Sequence, residues 1–371
     1  MKIVQTNKAY YPKVGGIETT VTTLSEGLVN DFNCDVKVLT CNHNVSFSKK
    51  LQIIDGVEIN YLPTFGFLHS LPLSPSYVFE LLNFSGDILH IHEPFPLADL
   101  SVLLSKRIRN NFNKIIVSWH SDIIRQKWSL VFYRKYILNF LDIADKIIVS
   151  NPALINNSEF LVNFKDKCTV IPIGVDLQWA ENVEGDNPIK KDSPLILSVG
   201  RLVYYKGFEF LISAMKDVPD ANLIIVGSGP LERKIKSLIK NLNLENKITI
   251  IPEVDRRTLK TFFKQCDLFV FPSIEKIETF GIVQIEAMAC GKPVVCTDIG
   301  TGTTFININN LTGLVVPPKD SGALAAAVNK ILSNDTLRKD FGENARKRAF
   351  NEFNKSLMVK RVYELYQSCL G

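Results

Sequence analysis

The stretch Pro272-Ser273-Ile274-Glu275-Lys276-Ile277-Glu278-Thr279-Phe280-Gly281-Ile282-Val283-Gln284-Ile285-Glu286-Ala287-Met288-Ala289-Cys290-Gly291-Lys292-Pro293-Val294-Val295 reads as a strand end, a loop, a helix and a second strand. The apolar runs Asp267–Pro272 and Pro293–Thr297 have strand length, and Gly281–Cys290 between them predicts a helix. The helix start leaves the amides of Thr279, Phe280, Gly281, Ile282 and Val283 without intrahelical acceptors. Such N–H groups, together with the helix dipole, favour an anion. Glu278 stands just before the helix and Glu286 in its second turn. A carboxylate accepts two hydrogen bonds side by side, which suits sugar hydroxyls next to a phosphate.

The same alternation extends in both directions. Upstream, strands are predicted at Lys2–Thr6, Asp35–Thr40, Val57–Pro63, Asp87–Glu93, Lys114–His120, Lys146–Ser150 and Cys168–Ile173. Helices are predicted between them at Gly16–Asn30, Leu97–Asn110, Leu130–Asp142 and Pro152–Phe164. After a polar pause the pattern restarts with strands Leu195–Gly200, Asn222–Gly227 and Lys247–Ile251, and it ends with a helical tail from Asp335 to Cys369. Near-continuous apolar strands alternating with amphipathic segments predict parallel sheets covered on both faces. The expected architecture is α/β: two facing Rossmann-like doubly wound domains with an interdomain cleft. Ligands of such sheets bind beyond the carboxyl ends of the strands.

The chain has 371 residues, enough for two or three domains at about 150 residues each. We place an N-terminal domain at 1–176, a linker at 177–193, a second domain at 194–350 and a closing helix at 351–371. Apolar residues make up 46% and charged residues 22%, which excludes a disordered chain or a coiled coil. The seven Cys include no Cys-x-x-Cys pair, so neither a disulfide scaffold nor a zinc ribbon is expected, and the compartment reads as cytoplasmic. Neither a targeting segment nor a membrane span is apparent. The net charge of +5 lies in the second half, since residues 1–185 sum to −1. That half is the better suited to an anionic ligand.

Several further positions point to chemistry. Arg201 and Lys206 flank a strand–helix loop, where two cations can converge on a diphosphate. Gly227-Ser228-Gly229-Pro230 reads as a backbone turn. Gly15-Gly16 follow the first strand and would admit a phosphate close to the backbone. His120 ends a strand, with Asp122 two residues on, placed to orient it or to meet an acceptor hydroxyl. His90 and His92 share one strand face, but third and fourth metal ligands are lacking, so cleft lining is the expectation. Residues 101–140 carry eight basic side chains against Asp122 alone, interleaved with aromatics such as Trp119, Trp128, Phe132 and Tyr136. Such a stretch suits an anionic membrane surface, through Arg125, Lys127, Arg134 and Lys135.

Taken whole, the opening stretch resembles the signature of retaining glycosyltransferases of family 4, in which a Glu-x7-Glu pair precedes Ala-Met-Ala-x-Gly-x-Pro-Val. The resemblance covers essentially the whole chain and is similar to that of bacterial polysaccharide mannosyltransferases. Ser273 and Glu278 are five apart where the family has Ser-x-x-Glu, and Pro252 stands where the family has Gly. The resemblance implies the GT-B fold, an acceptor-binding first domain, a donor-binding second domain, and a closing helix that packs back on the first. It implies that Arg201 and Lys206 hold the donor diphosphate, with His120 next to the donor sugar and β-phosphate. Glu278 would bind the sugar hydroxyls, Glu286 the ribose, and the backbone near Val254 the base. The implied co-substrate is a nucleotide-diphospho-sugar, best matched by GDP-mannose, with a UDP-sugar as the alternative. The implied acceptor is a lipid-linked saccharide at the inner membrane face. No nucleic acid partner and no metal are implied, and Asp-x-Asp occurs nowhere in the chain. A non-catalytic sugar-nucleotide-binding module would be expected to lose Lys206 or Glu278, and both are present.

Overall fold

A computed structural model describes residues 1–12, 15–68, 71–122, 130–181 and 193–371. The chain divides into two compact units, Met1–Gly174 with Lys355–Gly371, and Val175–Asn354. The expected linker at 177–193 lies partly outside the described residues. Its described start belongs to the second unit, where Gln178–Ala180 form a 3₁₀ turn.

In chain order the first unit contains β1 (Lys2–Asn7), α1 (Gly16–Phe32), β2 (Asp35–Cys41), β3 (Lys50–Ile54), β4 (Val57–Leu62), β5 (Phe67–Leu68), β6 (Leu71–Pro72), α2 (Tyr77–Leu81), β7 (Gly86–Glu93), α3 (Pro96–Leu104), α4 (Lys106–Asn110), β8 (Phe112–Trp119), α5 (Leu130–Ile143), β9 (Lys146–Val149), α6 (Pro152–Asn157) and β10 (Cys168–Val170). The second contains β11 (Leu195–Val199), α7 (Phe208–Ala214), β12 (Asn222–Val226), α8 (Glu232–Asn241), β13 (Ile248–Ile251), α9 (Arg256–Gln265), β14 (Leu268–Phe271), α10 (Ile282–Ala289), β15 (Val294–Thr297), α11 (Gly302–Ile306), β16 (Gly313–Val316), α12 (Ser321–Leu332) and α13 (Asp335–Glu352). The closing helix α14 (Lys355–Leu370) returns to the first unit.

The main sheets have the orders β10-β9-β8-β7-β1-β2-β4-β3 and β13-β12-β11-β14-β15-β16. All pairings in the second are parallel, as are those in the first except β3 on β4. Apolar strands such as Ile3, Val38, Ile88, Ile116, Ile196, Leu197 and Val270 are buried because helices cover both faces. In the first unit α14 supplies Met358, Val359, Val362 and Tyr366 to the cluster that holds Val21, Leu24 and Leu28 of α1. Each sheet reverses its strand order once, between β1 and β7 and between β11 and β14. A crevice opens beyond the carboxyl ends of the strands at such a reversal.

Three local departures from the sequence expectations have physical causes. The helix expected at Leu97–Asn110 breaks at Ser105, which is extended and accepts from the Ile108 amide at 3.3 Å, so it caps a new helix rather than continuing the old one. The helix expected at Pro152–Phe164 ends at Asn157, because the Ser158 hydroxyl accepts from the Phe160 and Leu161 amides at 3.2 and 3.3 Å. Strand β3, not expected, pairs with β4 across Asp55-Gly56, both at positive φ. That dipeptide favours a two-residue hairpin turn.

Candidate active site

In the second unit Arg201 follows β11, and the signature loop follows β14, the two strands at the reversal. The chain leaves β11 through Gly200 and forms a 3₁₀ turn at Tyr204–Lys206. Gly207 then adopts φ 65°, and a Cβ there would collide with the Pro272 carbonyl oxygen. The absence of a side chain therefore lets the two loops lie together. The Ile274 amide donates to the Tyr205 carbonyl at 2.8 Å and fixes that contact.

Lys206 is consequently close to the signature loop. Its ammonium forms an ion pair with Glu278, and both side chains are only 14% exposed. It also lies 4.9 Å from the centroid of the Phe271 ring. Arg201 is exposed. The far side of the signature loop is held by α11 and the turn before it. The Thr301 hydroxyl donates to the Glu278 carbonyl at 2.7 Å, and the Gly302 amide donates to the Thr279 carbonyl at 2.9 Å.

Gly281 caps α10 at φ 91° with no side-chain hydrogen bond to the helix start. A Cβ there would lie 2.9 Å from Gln284 Nε2 and 3.0 Å from the Phe271 ring, so this position requires glycine on both counts. Phe280 is buried, whereas Thr279, Ile282 and Val283 are half-buried. The α10 N-terminus, whose amides favour an anion, thus belongs to the loop that Lys206 meets through its ion pair with Glu278.

Glu286, one turn further on, is 13% exposed and lies 3.7 Å from Arg256. Burial raises its carboxyl pKa, and Arg256 and Lys260 pull it back down. Both cations lie on α9, four residues apart and hence on one helix face. The sequence reading missed them. The available signal was Arg256-Arg257 directly after the capping residue Asp255, whose carboxylate accepts from Thr258 N at 2.9 Å. Val254 lies in the loop before this helix, and the Glu253 amide donates to Ser228 Oγ at 3.2 Å.

The first unit carries the other expected residues. Gly15 caps α1 in an extended conformation, and Gly16 has open space where a Cβ would be. His120, after β8, hydrogen-bonds through Nε2 to His92 Nδ1 at 3.1 Å. Asp122 does not orient it, contrary to one expected role. The Asp122 carboxylate instead accepts from Trp119 Nε1 at 2.8 Å and from the Ser158 hydroxyl at 2.7 Å. Those two bonds oppose the upward pull of burial on its pKa.

His90 and His92 are fully buried, and their ring nitrogens are engaged by hydrogen bonds. His90 Nδ1 meets Tyr366 Oη at 2.5 Å, and its Nε2 meets Ser118 Oγ at 2.8 Å. His92 Nε2 meets Gln5 Oε1 at 3.0 Å. Among the described residues no group of three or more His, Cys, Asp or Glu is placed to hold a metal ion.

Burial is the main cause of low basicity in this cluster. It takes His90 down to about 3 and His120 to about 4, and it holds His92 well below its ordinary value. Folded pKa values below the unfolded value mean that the unfolded chain takes up protons first on acidification. The stability these groups provide is therefore present above about pH 6.5 and is lost as pH falls toward 3 to 4. Buried Glu93 and Asp99, whose pKa values burial raises, act with the opposite sign. The test must isolate one histidine. His90→Gln is expected to lose about 2 kcal/mol less stability than the parent between pH 7.5 and pH 5, as measured by urea unfolding.

The basic stretch at 101–140 is only partly surface. Arg125 and Lys127 lie outside the described residues. Arg109 donates to the Val102 and Leu103 carbonyls at 2.8 and 2.9 Å, and Lys114 pairs with Asp145 at 3.1 Å. Lys106, Arg107, Arg134 and Lys135 are exposed, whereas Phe112, Trp119 and Phe140 are buried. Among the described residues no helix is long and apolar enough to cross a membrane.

The profile described as Glycosyltransferase Family 4 matches residues 14–179, and the one described as Glycosyl transferases group 1 matches residues 180–348. O-antigen chain mannosyltransferase C of Escherichia coli is 31% identical, over 100% of this chain and 99% of its own. D-rhamnosyltransferase WbpZ of Pseudomonas aeruginosa is 31% identical, over 94% of this chain and 91% of its own. Among solved structures, sucrose-phosphate synthase from Thermosynechococcus elongatus superposes with a TM-score of 0.77 at 23% identity, covering 99% of this chain and 98% of that one. Anabaena HepE in complex with UDP gives 0.78 at 18% identity, covering 99% and 100%. The two Rossmann-like α/β units are thus those of the GT-B fold. Full-length identity to the two transferases and the paired family matches establish that this chain belongs to the family 4 glycosyltransferases.

Proposed function

We propose that the protein is a retaining mannosyltransferase that uses GDP-mannose and elongates a lipid-linked cell-surface polysaccharide precursor. The observation that carries this reading is the gathering of Lys206, Glu278, the α10 N-terminus and Glu286 at the reversal of the second sheet. Arg201 and Lys206, with the amides near Phe280 and Gly281, stabilise charge on the departing diphosphate. Glu278 accepts from the sugar hydroxyls and Glu286 from the ribose. The acceptor oxygen forms its bond to the anomeric carbon on the face from which the diphosphate leaves. The anomeric carbon–phosphate oxygen bond breaks, and a phosphate oxygen takes the acceptor proton. The residues supply fixed charge where charge develops, and no protein base is required.

The choice of mannose is supported by the two relatives of near-full length, a mannosyltransferase and a rhamnosyltransferase. A UDP-sugar donor is the second reading, favoured by the UDP and UDP-glucose complexes of Anabaena HepE. Incubating the protein with GDP-mannose or UDP-glucose and a polyprenyl-diphosphate-linked saccharide tests both. Transfer from GDP-mannose alone, with the α-configuration kept, is the expected result. No nucleoside diphosphate release from any sugar nucleotide would reject the enzyme reading.

Two further outcomes follow. Activity is expected to persist within about twofold in EDTA, since cations and a helix terminus hold the diphosphate. Loss on chelation and recovery with manganese would contradict this. The protein is also expected to bind anionic vesicles at low salt and to release them at high salt. Changing Lys106, Arg107, Arg134 and Lys135 to Gln should weaken sedimentation with such vesicles without altering donor affinity.

A further inference from the structure

Three imidazoles lie in a row in the first unit. The His90 and His92 ring centroids are 4.2 Å apart, and those of His92 and His120 are 5.4 Å apart with planes at 11°. Strand register explains the row. Gln5 of β1 is paired with His90 of β7, and His92 with Ser118 of β8, so Gln5 and His92 reach each other across one sheet face. The family signature lies in the other unit and gives no hint of this arrangement.

The hydrogen-bond chemistry runs in one direction. In this structure the Gln5 amide turns Oε1, which can only accept, toward His92 and leaves its buried Nε2 without a partner among the described residues; in that orientation His92 Nε2 carries the hydrogen of the bond. A neutral His92 then has a bare Nδ1, which can only accept. His120 Nε2 must therefore donate to it. A neutral His120 that donates through Nε2 keeps a lone pair on Nδ1, and among the described residues that atom has no partner. Two observations keep the row neutral. His92 is 1% exposed, and its neighbours on both sides are imidazoles that could share no second charge at these distances. The other charged or titratable neighbours are Lys8, which disfavours a cation on His120, and Tyr366, whose hydroxyl meets His90.

We propose that Gln5 and His92 are positioning residues that fix the tautomer of His120, so that His120 offers substrate an acceptor nitrogen at Nδ1 and takes a hydroxyl there. A phosphate oxygen, itself an acceptor, is refused at that atom. The inference rests on the glycosyltransferase reading for its substrate but not for its tautomer. Glu at position 5 would supply a carboxylate, hold His92 as a cation and turn its Nδ1 into a donor. His120 Nε2 would then accept, and Nδ1 would carry the hydrogen toward substrate.

The chain has five His, so ¹⁵N labelling of histidine alone in the full-length protein gives a spectrum that can be assigned, with His120→Asn identifying one set of peaks. At pH 7 without substrate, His120 is expected as the neutral Nε2–H tautomer. The Nδ1–H tautomer or a cation would overturn the relay, as would the flipped Gln5 amide, which reverses every donor. In Gln5→Glu, KM for the sugar nucleotide is expected to rise about 10-fold at pH 7, the effect of one mismatched hydrogen bond, and to recover as pH rises. A pH profile parallel to that of the parent would also overturn it. If Gln5→Glu does not fold, the tautomer in the parent protein still decides. The Nε2–H tautomer together with unimpaired transfer by His120→Asn would uphold the relay and remove His120 from the transfer site.

Discussion

Lys206→Ala is expected to lower turnover by about 100-fold or more, the usual result of removing a preorganised charge from a developing negative one. It is also expected to lower stability, which the sequence alone does not suggest for a residue in a loop. Lys206 is 14% exposed, paired with the equally buried Glu278 and lying over Phe271. Removing it leaves a carboxylate buried without its cation, a change that costs about 3 kcal/mol or more in other proteins. The two effects separate in the double variant Lys206→Ala, Glu278→Gln. Neutralising the carboxylate should restore most of the melting temperature and none of the turnover. Recovery of turnover in the double variant would mean that Lys206 acts only by neutralising Glu278.

Glu286→Ala should weaken the free nucleoside diphosphate by about 10- to 100-fold, the range for a hydrogen bond to a charged group. Glu278→Ala should leave the nucleoside diphosphate nearly unaffected and remove the extra affinity contributed by the sugar. Their surroundings support the division. Glu286 faces Arg256 and Lys260 on α9, next to the loop that carries Val254, whereas Glu278 faces Lys206. Calorimetry with the diphosphate and with the sugar nucleotide measures both. Equal effects of the two substitutions on the two ligands would show that the division is wrong.

The strands were legible in the sequence because both faces of each sheet are covered and the apolar runs are therefore continuous. Residues Leu195–Val199 and Leu268–Phe271 are buried throughout. Strand β3 was not legible because Leu51 and Ile53 project to solvent from an edge, and only Asp55-Gly56 marked its turn. Two helix ends were misplaced where a serine hydroxyl accepts from backbone amides, at Ser105 and Ser158. In the site, the residues of one loop could be read as a string. Residues that meet through register could not. Gln5, His92 and His120 are 87 and 28 positions apart at their bonds, and no local pattern joins them. Arg256 and Lys260 come to Glu286 only through the packing of α9 near α10, which spacing along the chain does not encode.

The central claim is that Arg201, Lys206 and the α10 N-terminus hold the second phosphate of a nucleotide. Calorimetry of the parent and of Lys206→Ala with GDP and GMP, repeated with UDP and UMP, tests it directly. For the donor's own base the parent should bind the diphosphate at least about 10-fold more tightly than the monophosphate, and Lys206→Ala should lose most of that difference. Equal affinity of the parent for diphosphate and monophosphate, or an undiminished difference in Lys206→Ala, would contradict it.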